Sequence, residues 1–193
     1  MPWEKRFDID ETLDKAMRLF WSRGYEATSM QALVRSMGIN RGSLYDTFGD
    51  KRQLFLATLR RYDERSRRAR LRALEQLHGP TDAIETLFAG WIDTALEDPE
   101  RSGCFLTNTA LELAVHDREI GDLVARSQKE TESFFRRLIE KGQSDGTIPL
   151  SIDAPQTARA LLAALIGLLV LARSRPDATL LRSISTAALT LLR

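Results

Sequence analysis

The side chains best placed to do chemistry in this chain are hydrogen-bond donors gathered in one short stretch, "TSMQALVRSMGINRGSLYDTFGDK", from Thr28 to Lys51. The chemistry they suit is recognition of a polyanion with readable edges. Arg41 can donate two hydrogen bonds to guanine O6 and N7. Ser43 can reach a base or a phosphate. The Tyr45 hydroxyl, the Thr47 hydroxyl and the Lys51 ammonium suit phosphate oxygens. Thr28 and Ser29 stand at the head of a helix, whose N-terminal dipole favours a phosphate. Gly42 costs about 1 kcal/mol of helix stability against alanine, and the absence of a side chain lets backbone approach a duplex. Asp46 would repel a phosphate and is expected to point away from one.

A second set is spaced by four: Cys104, Asn108, Glu112 and His116. On a continuous helix they form one ridge. Three roles fit it. The ridge can face solvent or a neighbouring helix without function. It can supply polar groups to a mainly apolar ligand pocket with Trp91, Phe105 and Phe134. Or Cys104 can act as a sensor that is alkylated, oxidised or metal-bound. One cysteine and two histidines in the whole chain make a metal site sparse, and none is expected, nor any cofactor. No nucleophile elbow, metal signature or phosphate loop is present, so no enzyme is expected.

The elements that must position these residues all read as helices; no stretch alternates as a strand. Ile9, Leu13, Ala16, Met17 and Phe20 recur at helical spacing, and Gly24 supplies the stop. Thr28 with Gln31 has the form of a capping box opening a short helix that ends at Gly38. Asn40 caps a third helix from Arg41 to about Phe48, with Ile39 and Leu44 as a hydrophobic staple. Asp50 caps a fourth that runs from Lys51 towards Leu77. The two short helices around Gly38-Ile39-Asn40 make a helix-turn-helix, in which the N-terminal part of the second helix meets base edges. Capping and stapling of this kind also suit an ordinary αα corner. Beyond the loop at His78–Ala83, helices are expected over about 82–96, 104–115, 119–141, 155–173 and 177–192. The expected organisation is a helix-turn-helix domain over 1–50, a connecting helix over 51–77 and a ligand-binding and dimerisation domain over 78–193. The whole is all-α, with about nine helices.

Composition sets the limits. The chain has 193 residues, 43% hydrophobic and 28% charged, as in an ordinary globular protein. A single cysteine excludes an internal disulfide, and no apolar signal core opens the sequence, so a cytoplasmic address is expected. The net charge of +1 hides an asymmetry: residues 1–75 hold 16 Lys+Arg against 11 Asp+Glu, and residues 76–193 hold 12 against 16. Only the basic front is suited to a polyanion. The run "ALLAALIGLLVLA" between Arg159 and Arg173 is 13 residues, too short to cross a bilayer, and no membrane partner is expected. It is apolar all round and reads as core or interface. Leu161, Leu165, Leu168 and Leu169 from it, with Ile184 and Leu189 from the last helix, are the expected dimer contacts. Trp3, Lys5 and Arg6 form a short arm that can touch DNA or remain a tail.

The stretch "GYEATSMQALVRSMGINRGSLYDTFGDKRQLF" resembles the DNA-binding region of TetR-family transcriptional regulators. Its matching features are Gly24-Tyr25, Thr28, Gly38, Gly42-Ser43-Leu44-Tyr45, Phe48, and Lys51 ahead of Leu54-Phe55. The resemblance implies a homodimeric repressor on a double-stranded, near-palindromic operator, released when a small-molecule effector binds the C-terminal domain. It also implies a four-helix dimer interface from the last two helices. Some members sense electrophiles through a cysteine in this part of the chain. Asp46-Thr47 departs from the family habit, which often has aromatic or histidine side chains there. The operator sequence is therefore not implied.

Overall fold

The computed structural model describes residues 7–193. The arm residues Trp3, Lys5 and Arg6 lie outside them. Among the described residues every regular element is helical: α1 (Ile9–Arg23), α2 (Met30–Met37), α3 (Arg41–Phe48), α4 (Lys51–Tyr62), α5 (Ala69–Leu77), α6 (Pro80–Glu97), α7 (Phe105–Glu112), α8 (Arg118–Ser144), α9 (Ala154–Ser174) and α10 (Ala178–Leu189). α4 and α5 are joined by a π-helical segment, Asp63–Arg68, where a single helix is expected from the sequence. The chain divides within that segment into two compact units, 1–65 and 66–193. The division thus falls inside the stretch expected as a connecting helix.

In the first unit α1 and α4 form the platform for α2 and α3. Phe20 sits edge-on against Phe55 at 5.0 Å, and Tyr25 meets the same Phe55 ring at 5.0 Å. Leu33, Met37, Leu44, Leu54 and Leu59 complete the core. Ile9, expected on the buried face of α1, is 39% exposed; Thr12 is buried instead, its hydroxyl donating to the Asp8 carbonyl at 2.6 Å. A polar clamp joins the platform helices. Arg61, with a nearly buried side chain, donates to Asp14 through Nε at 2.5 Å and Nη2 at 2.7 Å, and to Asp10 through Nη1 at 2.8 Å. The hydrogen bonds from this guanidinium hold the Asp14 carboxyl below the usual carboxylate range.

In the second unit the 27-residue α8 is the central element, packed on α6, α7 and α9. Its stripe of Ile120, Val124, Phe134, Leu138 and Ile139 meets Leu87 and Phe88 of α6 and the leucines of α9 in the core. Glu75–Arg137 and Glu132–Arg159 pairs staple α8 to α5 and α9 at the surface. α9 extends beyond the apolar run to 21 residues. Its length therefore reaches that of a bilayer span, contrary to the reading from the run alone. Leu161, Leu165, Leu168 and Leu169 pack into the protein core instead, as in a core helix.

Candidate nucleic-acid interface

The turn between α2 and α3 is built from local rules. Gly38 adopts φ +69° and ψ +28°, the left-handed conformation that suits glycine at a helix C-terminus, and its N–H donates to Val34 at 3.1 Å. Ile39 is buried beside the fully buried Leu44. Asn40 follows as N-cap, its Oδ1 accepting the Ser43 N–H at 2.7 Å. With Ile39 and Leu44 turned into the core, the first turn of α3 is left to solvent. Arg41, Gly42, Tyr45 and Asp46 are exposed, and Ser43, Thr47 and Phe48 are half-buried.

Arg41 and Tyr45 project together. Nη2 of Arg41 donates to the Tyr45 hydroxyl at 3.3 Å, and its guanidinium carbon lies 5.7 Å from the ring centroid. The contact pre-positions two long side chains on the exposed side of α3. At the start of α4 the Lys51 ammonium lies 4.2 Å from the centroid of Tyr25. Tyr25, absent from the residues expected at the interface, thus acts as the platform that orients Lys51.

Thr28 departs from its expected role. The cap of α2 is Ser29, whose Oγ accepts the Ala32 N–H at 3.1 Å. Thr28 is fully buried; its hydroxyl donates to the Gly24 carbonyl at 2.6 Å and its N–H to Tyr25 at 3.2 Å. Both donors are therefore committed inside the protein, and Thr28 braces the α1–α2 turn. Ser29, one residue on, is exposed. Gly42 carries a constraint that the sequence did not show. A Cβ added there would stand 3.3 Å from the capping Oδ1 of Asn40.

The second unit places its expected residues differently. α7 stops at Glu112, and Leu113 to His116 form turns, so the ridge of four is interrupted and His116 projects into solvent beyond the helix. Asn108 donates its amide to the Ser102 carbonyl at 2.7 Å and so ties down the preceding loop. Phe105 and Phe134 are core residues, 2% and 0% exposed. Trp91 and Cys104, however, line a cavity among α5, α6, α7, α8 and α9, with a volume of about 60 Å³. Arg67, Arg70, Leu87, Val124, Thr131 and Leu165 also line it. A signal for one arginine was present in the sequence: Arg70 falls on the stripe of α5 that continues through Leu71 and Leu74 to the core.

The leucines expected at a dimer interface, Leu161, Leu165, Leu168 and Leu169, are 0–6% exposed within one chain. They are spent on the chain's own core. The side of α9 left free carries small residues, with Ala163 and Gly167 exposed and Val170 half-buried. On α10 the corresponding stripe is Leu180, Ile184 and Ala187, continued by Leu191 in the 3-10 turn that follows it. Leu189 is half-buried on another side of α10.

Comparison with known proteins agrees with this architecture. The family described as bacterial regulatory proteins, tetR family, matches residues 13–58, and the tetracyclin repressor-like C-terminal domain matches residues 80–188. The uncharacterized HTH-type transcriptional regulator YezE of Bacillus subtilis is 37% identical over 75% of this chain and 74% of its own length. The HTH-type transcriptional repressor ComR of Escherichia coli is 32% identical over 88% of this chain and 81% of its own. A solved structure of the TetR family transcriptional regulator CifR, a cysteine mutant in complex with 26-base-pair operator DNA, superposes with a TM-score of 0.85. It is 29% identical and covers 96% of this chain and 97% of that one. A helix-turn-helix that bares the first turn of α3, in a chain matched by both family domains, makes this protein a member of the TetR family of DNA-binding transcriptional regulators and not an enzyme.

Proposed function

We propose that this chain is a homodimeric repressor in the cytoplasm that holds a near-palindromic operator and releases it when a small molecule enters the cavity of the second unit. The observation that carries the reading is the exposed first turn of α3, where Arg41 and Tyr45 are already joined by a hydrogen bond. Arg41 reads a base edge in the major groove. Ser43 and the bare backbone at Gly42 lie against the same groove, while Ser29, Tyr45, Thr47 and Lys51 hold phosphates. Such phosphate contacts fix register, and base contacts carry sequence preference. Two copies related by a two-fold axis set their recognition helices about 34 Å apart, one turn of the duplex. The free sides of α9 and α10 support the dimer: an apolar stripe on α10 and a small-residue face on α9 remain uncovered in a single chain. The likeness to ComR, a transcriptional repressor, and to CifR in complex with operator DNA supports the repressor reading.

Fluorescence anisotropy with the DNA upstream of the protein's own gene tests the reading. Wild type binds with an affinity that falls steeply with salt. Arg41→Ala loses about 1–3 kcal/mol on the operator and less on random duplex. Equal binding of Arg41→Ala and wild type, with the same preference for operator over random DNA, overturns the assignment of Arg41.

A further inference from the structure

The cavity of the second unit has a chemical bias set by one side chain. Arg70 lines it, and its guanidinium carbon lies 4.5 Å from the centroid of Trp91. Nη1 of Arg70 is out of contact with solvent and has no hydrogen-bond partner. Among the described residues no carboxylate lines the cavity, and Glu130 of the neighbouring groove is committed to other arginines. Glu130 accepts from Arg67 and, at 2.6 and 3.0 Å, from Arg68. Two hydroxyls on the wall are committed as donors: Ser127 to the Val124 carbonyl at 2.8 Å and Thr131 to the Ser127 carbonyl at 3.0 Å. Thr131 also accepts from Arg67 at 3.3 Å. What the cavity still offers is a cationic, planar donor at one side, the Thr107 hydroxyl and the Gln128 amide on the wall, and hydrocarbon elsewhere.

We propose that this cavity binds an amphipathic monocarboxylic acid, its carboxylate on Arg70 and its hydrocarbon body among Leu87, Val124, Leu165 and Leu169. A buried guanidinium N–H without a partner is costly, and a carboxylate supplies the planar acceptor that matches its fork. The stacking of the guanidinium on Trp91 holds that fork in place before the ligand arrives. The groove next to the cavity is lined by six cations, Arg67, Arg68, Arg72, Arg126, Lys129 and Arg137, against the carboxylates Glu75 and Glu130. Its field draws an acid towards the mouth. This inference deepens the reading of the second unit as the effector-binding part and rests on it.

The test compares hexanoate, decanoate and phenylbutyrate with their primary amides, binding to the full chain being followed by calorimetry and by tryptophan fluorescence. In wild type the acids bind at least about 10-fold more tightly than the amides, and Arg70→Met lowers acid affinity by about 10- to 100-fold while amide affinity is unchanged. Trp91→Phe abolishes the fluorescence change. Equal affinity for acid and amide in wild type overturns the proposal without need of any variant, and so does acid binding that survives Arg70→Met. If Arg70→Met does not fold, Arg70→Lys decides: it keeps the charge, loses the fork and binds acids more weakly than wild type. Operator binding without any acid is measured alongside. Intact DNA binding with no preference for acids overturns this inference alone. An Arg70-dependent preference for acids that leaves DNA affinity unmoved upholds the site and overturns its role as effector.

Discussion

The substitution Gly42→Ala separates two reasons for a glycine at the head of α3. One is clearance for DNA. The other is room for the cap, since the added methyl would stand 3.3 Å from Asn40 Oδ1, the atom that accepts the Ser43 N–H at 2.7 Å. For stability, alanine gains about 1 kcal/mol of helix propensity. Against this, the cap must yield by a few tenths of an ångström, which forfeits part of an interaction worth about 1 kcal/mol. The two nearly cancel, so the urea midpoint of the variant stays close to wild type. Clearance makes a different demand. A methyl between backbone and duplex costs at least a factor of about 10 in operator affinity, or about 1.4 kcal/mol. Because no charge changes, the slope of log affinity against log salt stays as in wild type. Asn40→Ser shortens the cap and relieves the crowding, so a double-mutant cycle isolates the cause. Clearance is refuted if Gly42→Ala binds operator as wild type does, or if Asn40→Ser restores binding to the Gly42→Ala protein.

Two further outcomes follow from the packing. Lysine at Ile184, a half-buried position on the free stripe of α10, is expected to give monomers by sedimentation while the helical circular dichroism is kept. Leu168→Ala, at a position 0% exposed in a single chain, is expected instead to cost about 2–5 kcal/mol of stability without a specific loss of dimer; monomeric but equally stable Leu168→Ala would return that leucine to the interface. The Arg61 clamp links stability to acid. Its hydrogen bonds depress the Asp14 pKa in the folded state, so its contribution is fully present above the unfolded carboxyl value of about 4 and is lost as pH falls through the lower folded value. Arg61→Met is expected to cost about 1–2 kcal/mol at pH 7, between exposed and buried pairs, and to flatten the fall in melting temperature below about pH 4. An unchanged acid limb in that variant would assign the acid sensitivity to other carboxylates.

The first unit was legible where the rule was local. Asn40, Ile39, Leu44 and Gly38 occupy the places that capping, stapling and the left-handed stop assign to them, because each depends on neighbours within about four residues. Thr28 shows how little separates two local solutions. A threonine and a serine stand side by side, both can cap, and the choice falls on Ser29 because the turn at Gly24 takes the Thr28 hydroxyl. The ridge through Cys104, Asn108, Glu112 and His116 failed for a related reason. Spacing by four has meaning only while the helix lasts, and α7 ends at Glu112. The cavity was less legible still, since Leu87, Val124 and Leu165 come from three helices that no spacing relates. Even so, a cation on an apolar stripe, as at Arg70, was a readable anomaly.

A helix that is apolar all round must bury two sides, and composition does not say which side meets which partner. The leucines of α9 are the larger and more apolar side chains, which makes them attractive as interface contacts when only the sequence is read. Packing decides otherwise. A unit of this size needs large side chains to fill the space between α6, α8 and α9, and Leu161, Leu165 and Leu168 fill it. The face that remains holds Ala163 and Gly167, and an added Cβ at Gly167 meets nothing within 4 Å. Small residues on a surface helix gain little by burial within their own chain, but they let a second helix approach closely and repeat its contacts by symmetry. The same helix also presents Leu165 and Leu169 to the cavity. The face with Ala163 and Gly167 lies beside the one that lines the cavity, so α9 carries both surfaces on one helix.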